Sequence, residues 1–258
     1  MRLDLSNVTL VTIDDLKDNP TKSNIRYTIL SKVIEYAKTH IDFHDIKLLT
    51  PLNGFSTTFN NITDYSKWII KELPFIIESD YYLIIQWDGF IVNPMNWLIQ
   101  WFDYDYIGGG HILQNGGFSF RKAETMRRVS DISILNSFGK TENTELYWLN
   151  EDCYYEYFFE HSAKNLHIVD NRFNAGWYEY LQSNNLVFKT PYVLDTVYAD
   201  CDSNKFSSFF RYDSNSFGWH WSGMLDMNTT IRFYKQLGVF TDTEINEIYS
   251  YLKLRSIR

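Results

Sequence analysis

The run Val8-Thr9-Leu10-Val11-Thr12-Ile13 is uncharged, is β-branched at every position but Leu10, and ends in Asp14-Asp15. Such a segment suits a strand buried on both faces, as in a parallel sheet covered by helices. The residues that follow keep to that plan. Residues 25–37 carry Ile25, Ile29, Val33, Ile34 and Ala37 at helical spacing, and residues 45–49 read as a short strand closed by Pro51 and Gly54. Residues 64–77 show a second helical pattern, interrupted by Pro74. Tyr81-Tyr82-Leu83-Ile84-Ile85-Gln86 is again strongly apolar and ends at Trp87-Asp88-Gly89. Strand, helix, strand, helix, strand, with crossover-length connections, predicts βαβ units and a mostly parallel sheet in an α/β fold. Ligands of such sheets bind beyond the C-terminal strand ends, where Asp14, Asp15 and Asp88 are expected.

Composition narrows the classes. The chain of 258 residues is 45% hydrophobic and 22% charged, which supports a packed core and excludes wholesale disorder. A net charge of −8 argues against general nucleic-acid binding, which calls for a basic excess. A single nucleotide in a pocket is compatible with it. Cys153 and Cys201 are too few for a disulfide framework and favour a reducing compartment. No apolar run approaches the roughly 20 residues of a membrane span, and the polar start Met1-Arg2-Leu3-Asp4-Leu5 is unlike a secretory signal. A soluble cytoplasmic protein is expected.

Farther along, residues 95–102 read as a short amphipathic helix after Pro94, and residues 104–107 as a strand stopped by Gly108-Gly109-Gly110. Residues 117–120 read as a strand and 121–128 as a helix. Residues 150–163 suit a helix with an Asn150 cap and with Glu151 and Asp152 in its dipole-favoured first turn. Residues 167–169 read as a strand, and 171–221 as a loop-rich, aromatic stretch. Residues 241–254 predict a C-terminal helix opened by Thr241 and Glu244, a capping box. The expected organisation is one domain over 1–222, with halves about 1–125 and 126–222, and a C-terminal helical extension over 223–258.

The chain lacks a P-loop, a dinucleotide Gly-x-Gly-x-x-Gly, a Gly-x-Ser-x-Gly elbow, a Cys-x-x-Cys and a His-Glu-x-x-His. Acids and glycines remain. Asp88, in Gln86-Trp87-Asp88-Gly89-Phe90, could hold a hard divalent cation against a diphosphate, or could be an aspartate shaping a turn. Asn115-Gly116-Gly117-Phe118-Ser119-Phe120-Arg121 permits close backbone approach to a ligand, or marks an Asn-Gly hairpin turn. Gly108-Gly109-Gly110 reads equally as a tight turn or a phosphate contact. Glu151-Asp152 is a structural helix start or an acid–base element. His220, in Phe217-Gly218-Trp219-His220-Trp221, is a structural histidine or a ligand.

In combination, over about residues 8–221, these motifs resemble an uncharacterised domain family grouped with GT-A glycosyltransferases and found in bacteria, fungi and large viruses. Gln86–Phe90 and Asn115–Arg121 are the specific parts of the likeness. The Gly-Gly-Phe-Ser and later Glu-Asp pair are also similar to inverting galactosyltransferase-type enzymes. The resemblance implies a GT-A-like, Rossmann-type α/β/α sandwich and transfer of a sugar from a nucleotide-sugar donor to a glycan, protein or other hydroxyl acceptor. On the matching positions, Thr12, Asp14 and Asp15 would meet the nucleoside. Gln86, Trp87, Asp88, Gly89, Asn115, Gly116 and Gly117 would line the donor. Asp152, or Glu151 as second choice, would be the general base, predicting inversion. Asp88 and His220 would hold Mn2+ or Mg2+. Gln86 replaces the first acid of the family's Asp-x-Asp pattern, which leaves metal dependence open and cationic side chains as the alternative.

Two other functions fit parts of the sequence. A non-catalytic carbohydrate-binding protein would use Trp177, Tyr178, Trp219 and Trp221 as stacking surfaces. A metal-dependent phosphoesterase would use the same acids, but lacks a second clustered ligand set.

Overall fold

The computed structural model describes residues 1–14, 20–109, 115–131, 207–208, 216–220 and 227–255. The β-branched run lies within β1 (Leu3–Ile13), an interior strand of a five-stranded sheet. Strand β2 (Ile41–Leu49) and strand β3 (Tyr81–Ile85) pair with it in parallel on either side. Helix α1 (Pro20–His40) connects β1 to β2, and helix α2 (Ile62–Lys71) lies between β2 and β3. Strand β4 (Gly89–Ile91) follows β3, and strand β5 (Tyr106–Gly109) forms one edge of the main sheet. Strand β6 (Asn115–Lys122) pairs antiparallel with both β3 and β5. The order is β2-β1-β3-β6-β5, so the sheet is mixed, parallel on one side of β3 and antiparallel on the other.

Strand alternation distributes the core onto both faces. Leu10, Leu83, Ile85, Phe118 and Phe120 face one cluster, and Val11, Ile13, Tyr82, Ile84 and Tyr106 face the other. The first cluster is closed by α1 together with helix α4 (Met227–Leu237) and helix α5 (Asp242–Arg255). The second is closed by α2 and helix α3 (Ala123–Asp131). The result is a mixed α/β fold with helices on both faces. Leu5 and Val8 share a cluster despite their opposite parity because a register shift between Leu5 and Thr9 resets the alternation.

A second, small sheet of order β4-β8-β7 contains strand β7 (Ser207–Ser208) and strand β8 (Gly218–His220). The capping box expected at Thr241 is present: Glu244 accepts from the Thr241 amide at 2.7 Å, and the Glu244 amide donates to Thr241 Oγ1 at 3.2 Å. Among the described residues no helix is long and apolar enough to cross a membrane.

Several expectations need correction. The helix foreseen over 95–102 is two 3-10 segments, Pro94–Asn96 and Ile99–Asp103, broken at Trp97, whose backbone is extended. The helical pattern over 64–77 ends at Lys71, because Pro74 cannot continue an α-helix, and Leu73–Phe75 forms a 3-10 turn instead. Arg121 lies in β6 and not in α3. Asn115 and Gly116 belong to β6 as well, so they are not the tip of a hairpin, and Gly108 and Gly109 belong to β5. Helix α4 falls within the helical extension expected over 223–258, in which only the helix over 241–254 had bounds of its own. The segments expected at 150–163 and 167–169 lie outside the described residues.

Candidate functional site at the strand ends

The chain turns sharply after β3. The Gln86 amide donates to the Gly89 carbonyl at 2.8 Å and the Gly89 amide donates to the Gln86 carbonyl at 3.1 Å, leaving Trp87 and Asp88 at the tip of a two-residue turn. Asp88 therefore does shape a turn, and its half-buried carboxylate also sits at a strand end, as a ligand-binding acid would. The pairing of β4 with β8 sets Gly89 opposite His220, Phe90 opposite Trp219 and Ile91 opposite Gly218. Glycine at 89 is a matter of space: a Cβ there would lie 2.6 Å from His220 Cδ2 and 2.9 Å from the Gly117 carbonyl oxygen. Three sequence motifs distant in the chain thus meet at Gly89, Gly117 and His220, with Asp88 adjoining. His220 is 5% exposed, and burial pushes its imidazole down to about 4, so the ring is neutral at physiological pH. Neutral imidazole is the form that binds metals.

Beside this turn is a cavity of about 380 Å³ lined by residues including Ile13, Asp14, Arg26, Tyr65, Gln86 and Trp87. Arg26 of α1 pairs with Asp14 at 2.9 Å, the two side chains being 10% and 6% exposed. Asn60, Asn61 and Ile62, at the start of α2, close another wall. Asn61 caps that helix by accepting from the Asp64 amide at 2.9 Å. Gln86 Nε2 donates to the Tyr65 hydroxyl at 3.0 Å. Gln86 is thus tied into the wall as a neutral amide and brings no negative charge.

Of the sequence candidates, the structure brings Asp14, Gln86 and Trp87 to the cavity, and Gly89, Gly117 and His220 to one contact next to Asp88. Thr12 is buried on the α1 side of β1 and does not line the cavity. Gly116 lies one residue from the contact, and its carbonyl accepts from Ser119 Oγ at 2.9 Å and from Arg121 Nη2 at 3.3 Å. Asp15, Glu151 and Asp152 lie outside the described residues, as do Trp177, Tyr178 and Trp221. Trp219, counted among possible sugar-stacking surfaces, is instead 1% exposed, and its Nε1 donates to Thr230 Oγ1 at 3.2 Å. It is core.

Sequence reasoning missed Arg26, Tyr65 and the role of Arg121. Arg121 is fully buried within β6, its Nε donating to Ser119 Oγ at 2.9 Å and its guanidinium 5.1 Å from the Tyr106 ring centre. An arginine adjoining an apolar helical stripe, as Arg26 adjoins Ile25 and Ile29, is a signal that could have been used.

The family model described as a protein of unknown function (DUF5672) matches residues 53–175. That stretch holds the Gln86–Phe90 and Asn115–Arg121 motifs and runs through Glu151 and Asp152, stopping before His220. No curated protein matches the chain. Among solved structures, the chain is similar to a glycosyltransferase involved in the glycosylation of the major capsid of PBCV-1, at 14% identity and a TM-score of 0.40, over 90% of this chain and 99% of that one.

Proposed function

We propose that the chain is a glycosyltransferase that moves a sugar from a nucleotide-sugar donor to an acceptor hydroxyl, with inversion. The observation that carries the reading is the meeting of Gly89, Gly117 and His220 beside Asp88, next to a cavity walled by Asp14 and Arg26 at the strand ends. The nucleoside occupies that cavity, with Asp14 and Arg26 offering an acceptor and a donor side by side. Asp88 and His220 are the residues that would hold Mn2+ or Mg2+, the carboxylate as the hard-cation ligand and the neutral imidazole as a second donor. When bound, the cation offsets the charge that develops on the departing diphosphate. Asp152, or Glu151 in its place, takes the proton of the acceptor hydroxyl. The acceptor oxygen then bonds to the anomeric carbon from the side opposite the diphosphate, which leaves with its bonding electron pair.

Thermal melting with a panel of nucleoside diphosphates, with and without manganese, tests the donor site. Saturation at about 100 times Kd adds about 2.7 kcal/mol, worth roughly 2–4 °C per kcal/mol for a chain of this size. A panel that leaves the melting curve unmoved removes the donor reading; stabilisation by free sugars alone favours carbohydrate binding, and hydrolysis of phosphodiesters to a phosphomonoester and an alcohol favours the esterase. For the base, Asp152→Asn is expected to slow transfer by about 10²–10⁴-fold with nucleotide binding retained. Unchanged turnover removes Asp152 from that role.

A further inference from the structure

We propose that Tyr234 of α4 is a positioning residue for the Trp87-Asp88 turn, so that the C-terminal helices set the affinity of the donor site. The proposal rests on the donor reading above. The Tyr234 hydroxyl donates to the Trp87 carbonyl at 2.7 Å, although the two residues are far apart in the chain. That carbonyl belongs to the peptide plane joining Trp87 to Asp88. A peptide is planar, so fixing its oxygen fixes the orientation of the bond that carries Asp88. Both ends of the turn are already pinned by the Gln86–Gly89 pair, and this plane is the main freedom left between them.

The rest of the support comes from the same helices. The Tyr234 ring stacks on Phe90 at 4.7 Å and 19°, immediately after the turn. The Trp87 ring meets Tyr251 of α5 edge-on at 5.6 Å and 74°. The turn is thus braced at its carbonyl by α4 and at its side chain by α5. Burial, and then the charge of Asp88, push the Tyr234 phenol well up, so it stays protonated and remains a donor. Packing against Phe90 needs only the ring, and a phenylalanine would serve it. The hydroxyl is what reaches the turn.

Tyr234→Phe separates the two roles. Ile231→Val, in the same helix and the same core cluster, serves as a purely structural control. Titration of both variants with uridine and guanosine diphosphates in manganese is expected to show affinity about five- to tenfold weaker for Tyr234→Phe, the worth of one hydrogen bond. Ile231→Val should bind as the unaltered chain does while losing some thermal stability. Equal affinity in Tyr234→Phe overturns the proposal, as does a matching loss in Ile231→Val. Amide hydrogen exchange at Asp88 and Gly89 provides a readout that needs no nucleotide: the phenylalanine variant exchanges faster there and the valine variant does not. If the unaltered chain binds neither diphosphate, the donor reading fails, and equal exchange in the two variants then overturns the positioning role separately.

Discussion

Asp14→Asn is expected to destabilise the chain by about 3–5 kcal/mol, the cost of leaving a buried charge without its partner. The Asp14–Arg26 bridge spans 2.9 Å with both side chains largely shielded from water, so solvent screening gives little relief. Arg26→Met should cost a comparable amount, since it strands the carboxylate instead. The double variant discriminates: with both charges gone, the loss should be smaller than the sum of the single losses by roughly 1–3 kcal/mol. Chemical denaturation of the four proteins measures this coupling. Additive losses below about 1 kcal/mol, as for an exposed pair, would show that the bridge is solvated and unsuited to reading a nucleoside. Such a buried pair is weak evidence for stability in itself. Its place in the cavity wall agrees with a selective role, in which a ligand replaces water at groups already held in place.

How much of this was legible in the sequence depended on how local each signal is. The β-branched run of β1, the helical spacing of α1 and the Thr241–Glu244 box are written within a few residues, and all three are found in the structure. The bounds of helix α4 were not legible within the expected helical extension because Thr229 and Thr230 dilute its stripe of Ile231, Tyr234 and Leu237 with residues that also suit strands. The twin glycines read as room for a ligand or as a turn; that the Gly117 carbonyl packs against Gly89 was not readable. The Gly89–His220 pairing joins segments with most of the chain between them. The sequence reads Arg121 as the first residue of a helix; its place in β6 and its burial beneath the Gly116 carbonyl follow from sheet register. The motif residues were therefore visible as types, and their mutual placement came only from tertiary pairing.

Gly89→Ala is the sharpest probe of that placement. Its backbone is not in the left-handed region, so no conformational penalty applies, and the effect comes from space alone. The added methyl carbon would lie 2.6 Å from His220 Cδ2, 2.9 Å from the Gly117 carbonyl oxygen and 3.2 Å from Phe118 Cβ. A ring edge can tilt, but a main-chain oxygen and a Cβ move only with their strands. Strand β4 must then lift from β6 or part from β8, at a cost of about 1–3 kcal/mol. Gly54→Ala makes the contrasting control. Gly54 has φ +82° and open space around its Cβ position, so alanine there pays roughly 1–2 kcal/mol in backbone strain without touching the site. The two variants should lose similar stability, yet Gly89→Ala alone should lose nucleoside diphosphate binding, measured by the same titration at a temperature where both are folded. Intact binding in Gly89→Ala would mean that the Gly89–Gly117–His220 contact serves only to join two sheets. A loss confined to Gly89→Ala would tie binding to the spacing of β4 against β6 and β8, because the substitution alters no charge and removes no ligand-bearing atom.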